Sequence, residues 1–179
     1  MCLLGCGADA LHASLACSAR EVYPPRVPFP PWLDAVVARL RAAHPLLRRF
    51  APNHANAIEY VRSRGDYLVA HVDDRKLSGD VIVNLSLHGS CVMTYAPEAP
   101  GGAPRGKAAR RAGDAPAPDA PGVVRVALPR RAAQVQSGKS RFEFTHAIAG
   151  RDLIHEKRIS ITLRESPVTK PKRPPPAPR

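Results

Sequence analysis

"YLVAHVDDRKLSGDVIVNLSL", residues 67–87, decides how this chain folds. Its two halves, 67–73 and 80–87, are short apolar runs separated by Ser, Gly and Asp, the signature of two strands. The first half carries His71 and Asp73, two residues apart. Strand side chains alternate faces, so positions i and i+2 point the same way. An imidazole and a carboxylate therefore project side by side from a stiff backbone. A solvated strand end would explain the pair, and so would two-thirds of a metal site.

Outward from this stretch the pattern repeats. Further short runs lie at 90–95, 123–129, 132–137, 141–148 and 158–164, most of them punctuated by Gly, Pro, Asp or Ser. Upstream, "PFPPWLDAVVARLRAAHPLL" (28–47) reads as one helix. Pro31 suits its first turn, and Leu33, Val36, Val37 and Leu40 recur at helical spacing. Trp32 and that stripe are expected to pack against a sheet. Seven short strands behind one helix, without βαβ alternation, indicate a mainly β chain built as an antiparallel sandwich or jelly roll.

The 179 residues suit one domain, expected over 23–166. Residues 1–22 show no convincing pattern. Residues 96–122 hold nine Ala, six Pro and five Gly, too little apolar bulk to bury, and read as a disordered insertion. Residues 167–179, with six prolines and four basic residues, read as a disordered, solvated tail. The formal net charge of +12 is spread over several segments, and residues 51–95 come to −1, so it is compatible with an anionic partner without arguing for one. Four cysteines (Cys2, Cys6, Cys17, Cys91) form neither a C-x-x-C unit nor a disulfide framework, which suits a reducing compartment. No apolar run approaches the roughly 20 residues of a membrane span. The expectation is a monomer of cytoplasm or nucleus with no membrane association, organelle targeting by the acid-poor N-terminus remaining open.

His146, in "FEFTHAI", is a third ligand candidate. Two imidazoles and one carboxylate on one face of a metal, with other positions open, suit ferrous iron in oxygenases. "RISITLR" (158–164) adds weight. Arg158, Ser160, Thr162 and Arg164 share one strand face, while Ile159, Ile161 and Leu163 share the other, which is expected to pack into the sandwich. Two guanidiniums and two hydroxyls are costly to turn inward unless an anion meets them. The alternative is an amphipathic edge strand with its polar face in water. The two arginines lie about 20 Å apart along a straight strand, so both cannot grip one small carboxylate.

These motifs together, "NAIEY", H-x-D, "SL", "LP", G-x-x-R, a distal His and R-x-S-x-T-x-R, resemble the AlkB-like family of Fe(II)- and 2-oxoglutarate-dependent dioxygenases from about Asn56 to Arg164. The resemblance implies a double-stranded β-helix (jelly roll) with one or two N-terminal helices packed on it. It implies Fe(II), 2-oxoglutarate and O₂, with His71, Asp73 and His146 binding iron. Arg158 would salt-bridge the distal carboxylate of 2-oxoglutarate, with Tyr60 and Ser160 as hydrogen-bond partners. Arg164 would support the metal-proximal end and Asp73. A bidentate Arg–carboxylate pair suits a dicarboxylate.

The chemistry implied is oxidative demethylation, releasing formaldehyde from an N-methyl group. The first expectation for the substrate is N-methylated nucleic acid, DNA or RNA. The second is methyl-lysine in a protein. Asp74 follows Asp73 directly, where an acid faces the base in some nucleic-acid members, but Arg75 replaces a further acid. The segment "YVRSRGDYLVAH" (60–71) is longer than in bacterial repair enzymes and resembles the eukaryotic subgroup associated with protein-lysine demethylation. Ile58 stands where many members have Asn. The few elements before the core imply a reduced lid or a piece of a longer gene product. A non-catalytic jelly-roll binding module is the outside alternative, and it would require a broken iron site.

Overall fold

A computed structural model describes residues 28–99 and 116–167. The patternless N-terminus, Cys2, Cys6 and Cys17, most of the Ala/Pro/Gly-rich segment and nearly all of the basic tail lie outside these residues. Among the described residues, eight strands form two four-stranded antiparallel sheets. They are β1 (His54–Val61), β2 (Leu68–His71), β3 (Ile82–His88), β4 (Cys91–Pro97), β5 (Val124–Leu128), β6 (Ala133–Gln136), β7 (Phe144–Ile148) and β8 (Lys157–Arg164). The strand orders β1-β8-β3-β6 and β2-β7-β4-β5 interleave the chain between the two sheets, which makes a jelly roll.

Helix α1 (Pro31–Ala43) starts on Pro31, whose fixed φ and missing N–H cost nothing in a first turn. It buries Leu33 and Val37 against Val83, Leu85, Ile161 and Leu163 on the outer face of the first sheet. Trp32 does not join them: it is 53% exposed, so the stripe anchors the helix without the indole.

This layer reverses the expected orientation of β8. Its apolar face, Ile161 and Leu163, packs outward under α1. Its polar face, with Arg158 and Ser160 each 1% exposed, turns inward between the sheets. A second core fills that interior, formed by Tyr60, Cys91, Met93, Tyr95, Leu128, Ile148 and Leu153.

Three elements differ from the sequence reading. "HANAIEYV" is strand β1, held by a continuous antiparallel register with β8 from His54↔Arg164 to Val61↔Lys157. Residues 138–142, partly inside the run read as the strand 141–148, form a short helix α2 (Gly138–Phe142), closed by a Ser137/Ser140 capping box. Ala96 and Pro97, the first residues of the segment read as an insertion, finish β4 and pair with Thr145 and Phe144. Gly89 turns β3 into β4 at φ 66°, and a Cβ there would come within 2.1 Å of the Lys157 carbonyl. Only glycine lets β8 begin this close to the turn.

Candidate metal centre

The edge strand β2 of the second sheet and its neighbour β7 bring the three sequence-predicted ligands together. His71 ends β2 directly opposite His146 of the adjacent β7. Their rings lie 4.3 Å apart between centroids, tilted by 51°. Asp73 sits just past the end of β2. Its Oδ1 is 3.8 Å from His71 Nε2 and its Oδ2 is 3.8 Å from His146 Nε2. One donor atom from each residue falls within 4.8 Å of the others, a group that could hold a metal ion.

His71 Nδ1 is 2.7 Å from the Val69 carbonyl oxygen. A carbonyl only accepts, so Nδ1 carries the proton and the Nε2 lone pair is left free for a metal. That is the outer-shell arrangement of most metal-bound histidines. His146 is 7% exposed. Burial, reinforced by the neighbouring His71, lowers its pKa to about 3, so it is neutral and able to ligate at physiological pH. For Asp73 burial alone would raise the pKa. Electrostatic interactions with His146, His71, Arg164 and Arg141 outweigh it and hold the carboxyl below its ordinary value.

Between the sheets, Arg158 presents a buried guanidinium. Nη1 donates to Ser160 Oγ at 2.9 Å, and Nη2 donates to Asn84 Oδ1 at 3.2 Å and Ser86 Oγ at 3.4 Å. Its Nε has no partner. No carboxylate pairs with it among the described residues. The Tyr60 ring lies beneath it, 5.6 Å from the guanidinium carbon to the ring centroid. Burial raises the Tyr60 pKa, so its hydroxyl stays a donor. The Cys91 thiol is likewise pushed up by burial, against the opposing influence of Arg158. Arg164 is directed elsewhere: Nε donates to His54 Nδ1 at 3.1 Å and Nη1 to Ser78 Oγ at 3.4 Å, on the loop that follows Asp73.

Asp74 is exposed, and its Oδ1 accepts from the Lys76 and Leu77 amides at 2.7 and 2.8 Å, closing the turn after Asp73. Arg75 pairs with Glu98 and donates to the Phe142 carbonyl. Sequence reasoning missed Asn84 and Ser86, whose i, i+2 spacing in an otherwise apolar strand was the available signal. It noted Arg141 within G-x-x-R but assigned it no role.

By its curated relatives the chain is similar to the AlkB-like family of 2-oxoglutarate-dependent dioxygenases, and its antiparallel jelly roll with a His-Asp-His cluster is consistent with that likeness. Those relatives are two proteins named Alpha-ketoglutarate-dependent dioxygenase alkB homolog 4. The one from Mus musculus is 34% identical over 146 residues, 76% of this chain and 48% of the relative. The one from Homo sapiens is 30% identical over 145 residues, 75% of this chain and 48% of the relative. The chain thus spans about half the length of the curated relatives it matches. A solved structure, that of OsALKBH1, is similar over 88% of this chain and 60% of its own, at 15% identity and a TM-score of 0.42. No family model matches.

Proposed function

We propose that residues 54–164 form the catalytic core of an Fe(II)- and 2-oxoglutarate-dependent oxidative demethylase. His71, Asp73 and His146 would be its iron ligands, Arg158, Tyr60 and Ser160 would receive 2-oxoglutarate, and Arg164 would support the metal-proximal end through the Asp73 loop. The observation that carries this reading is Arg158. A guanidinium that is 1% exposed, with an orphaned Nε and no acid beside it among the described residues, is a strongly destabilising feature unless an anion completes it. A dicarboxylate would meet the buried charge of Arg158 with one carboxylate and would leave the other for the metal that His71, Asp73 and His146 would hold.

When bound, iron and 2-oxoglutarate supply the activation of O₂ that oxidises a C–H bond next to nitrogen. The protein supplies placement. The Val69 carbonyl fixes the His71 ring, and the β2–β7 ladder sets His71 against His146. Arg158 would receive the distal carboxylate, with Ser160 and the protonated Tyr60 hydroxyl at hand. Arg164 steadies the Asp73 loop through Ser78. Arg158 and Ser160 are themselves buried between the sheets.

For the substrate, N-methylated DNA or RNA is one reading and methyl-lysine in a protein is the other. Both offer the same N–CH₃ unit. Two placements favour methyl-lysine. Asp74 spends one carboxylate oxygen on its own turn, next to an arginine rather than a second acid. Trp32, an exposed aromatic suited to stacking a flipped base, rides on α1 on the outer face of the first sheet, away from the centre between the sheets. The test is succinate release from 2-oxoglutarate with ferrous iron and ascorbate, beside His71→Ala, followed by formaldehyde release from methylated oligonucleotides and methyl-lysine peptides. Turnover lost in His71→Ala supports the dioxygenase. Folded, iron-loaded protein that turns over nothing would favour a binding module.

A further inference from the structure

We infer that Arg141 is a positioning residue for Asp73, acting through the main chain of residues 73–79; the inference rests on the metal centre proposed above. His71 and His146 are fixed to each other by the strand ladder, but the β2–β7 pairing ends at His71. Asp73 therefore has no strand partner, and its carboxylate is only as well placed as the loop that carries it.

That loop converges on one guanidinium. Arg141 is 1% exposed. Its Nη1 donates to the Asp73 carbonyl at 3.0 Å, and its Nη2 donates to the Asp74 carbonyl at 2.8 Å and the Ser78 carbonyl at 3.2 Å. Its Nε donates to the Gly79 carbonyl at 3.3 Å. The first and last carbonyls of the 73–79 loop are thus held by the same planar group. Only arginine offers enough donors in a rigid fork to do this; a lysine ammonium has three donors around a single point. Every acceptor is main chain, so the clamp reads the path of the loop rather than its side chains.

The clamp is also tied to the opposite ligand. Arg141 lies on α2, which the Ser137/Ser140 capping box closes and which runs through Glu143 into β7, the strand of His146. Arg141 and His146 therefore belong to one short, continuous helix–strand unit. By gripping the loop from that unit, Arg141 sets the Asp73 carboxylate relative to His146 as well as to His71. Arg158, on β8, makes its hydrogen bonds to different residues and shares none of these acceptors.

The test is Co(II) titration of the purified full chain, followed by visible absorption, with the KM for 2-oxoglutarate measured at saturating iron. Arg141→Gln is expected to raise the Co(II) Kd by about 10-fold or more, the usual effect of losing an outer-shell contact, and to leave the KM for 2-oxoglutarate unchanged. Arg141→Lys is expected to fall between the two. A merely structural role would lower the melting temperature without separating metal affinity from KM, so thermal unfolding is recorded for each variant. Co(II) affinity equal to wild type in both variants would overturn the inference. If Arg141→Gln does not fold, Arg141→Lys decides by the same criterion. Wild-type protein that bound no Co(II) would instead overturn the metal centre, and this inference with it.

Discussion

Replacing Arg158 by glutamine should move two quantities in opposite directions. In the ligand-free protein the substitution removes a buried charge that has no acid partner among the described residues. Relief of an unpaired buried charge is worth several kcal/mol. Against it stand the loss of about one of the three hydrogen bonds to Ser160, Asn84 and Ser86, about 1 kcal/mol, and a small cavity. The glutamine amide keeps two donors for the remaining acceptors, so the melting temperature should hold or rise. For 2-oxoglutarate the same change removes one half of a buried charge pair, at a cost of about 2–5 kcal/mol, or roughly 30-fold to several thousand-fold in Kd. A ligand at 100 times its Kd stabilises by about 2.7 kcal/mol, which for a domain of this size is roughly 5–15 °C. The assay is thermal unfolding with a redox-inert divalent metal, with and without 2-oxoglutarate. Wild type should show that rise, and Arg158→Gln at the same concentration should show little or none. A variant that melts several degrees lower without ligand, yet keeps the full ligand-induced rise, would refute the assignment of Arg158 as an anion receptor.

Other consequences can be checked more briefly. His71→Ala should lose metal binding and reduce 2-oxoglutarate turnover at least about 100-fold, beyond the usual cost of an outer-shell change; chelation of wild type should do the same, reversed by ferrous iron but not in the variant. His146 has a pKa of about 3 in the fold against the ordinary 6.5, chiefly from burial. Between those values the unfolded chain binds a proton that the native state does not. Metal-free stability should therefore fall as pH drops through that window, by up to about 1.4 kcal/mol per unit. A urea midpoint that stayed constant from pH 7 to 5 would refute the His146 contribution; Asp73, also held low, adds a loss of the same sign only in stronger acid, below the ordinary carboxylate range. Asp74→Asn keeps the Oδ1 acceptor for the Lys76 and Leu77 amides and should leave turnover of a methyl-lysine peptide unchanged, whereas a large loss would restore Asp74 as a substrate residue. Gly89→Ala should cost more than about 1 kcal/mol in chemical denaturation, because it meets both a positive φ and the Lys157 carbonyl.

Much of this arrangement was legible because strand alternation is a strict rule. It put His71 beside Asp73 and gathered Arg158, Ser160, Thr162 and Arg164 on one face of β8. Alternation does not say which face is inside. The sheet has a core on each side, and only the placement of α1 shows that Ile161 and Leu163 belong to the outer one. Strand β1 escaped notice because "HANAIEYV" carries too many Ala and Asn residues to advertise a strand; its pairing with β8 along its whole length overrides that weak preference. The aromatics of "RFEFTHAI" suggested a strand through residues that the Ser137 cap turns into helix. The work of Arg141 could not be read at all, since its four acceptors are backbone carbonyls and carry no sequence signal.

Strand β8 comes last among the eight, yet it lies inside the first sheet, between β1 and β3. It supplies Arg158, Ser160 and Arg164 together. On a ribosome, β1 and β3 must wait for it with their backbone edges unsatisfied and with Asn84 and Ser86 lacking the guanidinium they will bind. Such long-range closure makes for slow folding and leaves sticky edges exposed meanwhile. The proposed anion site cannot exist until β8 has been synthesised as far as Arg164, so it closes only after every strand that flanks it is already in place.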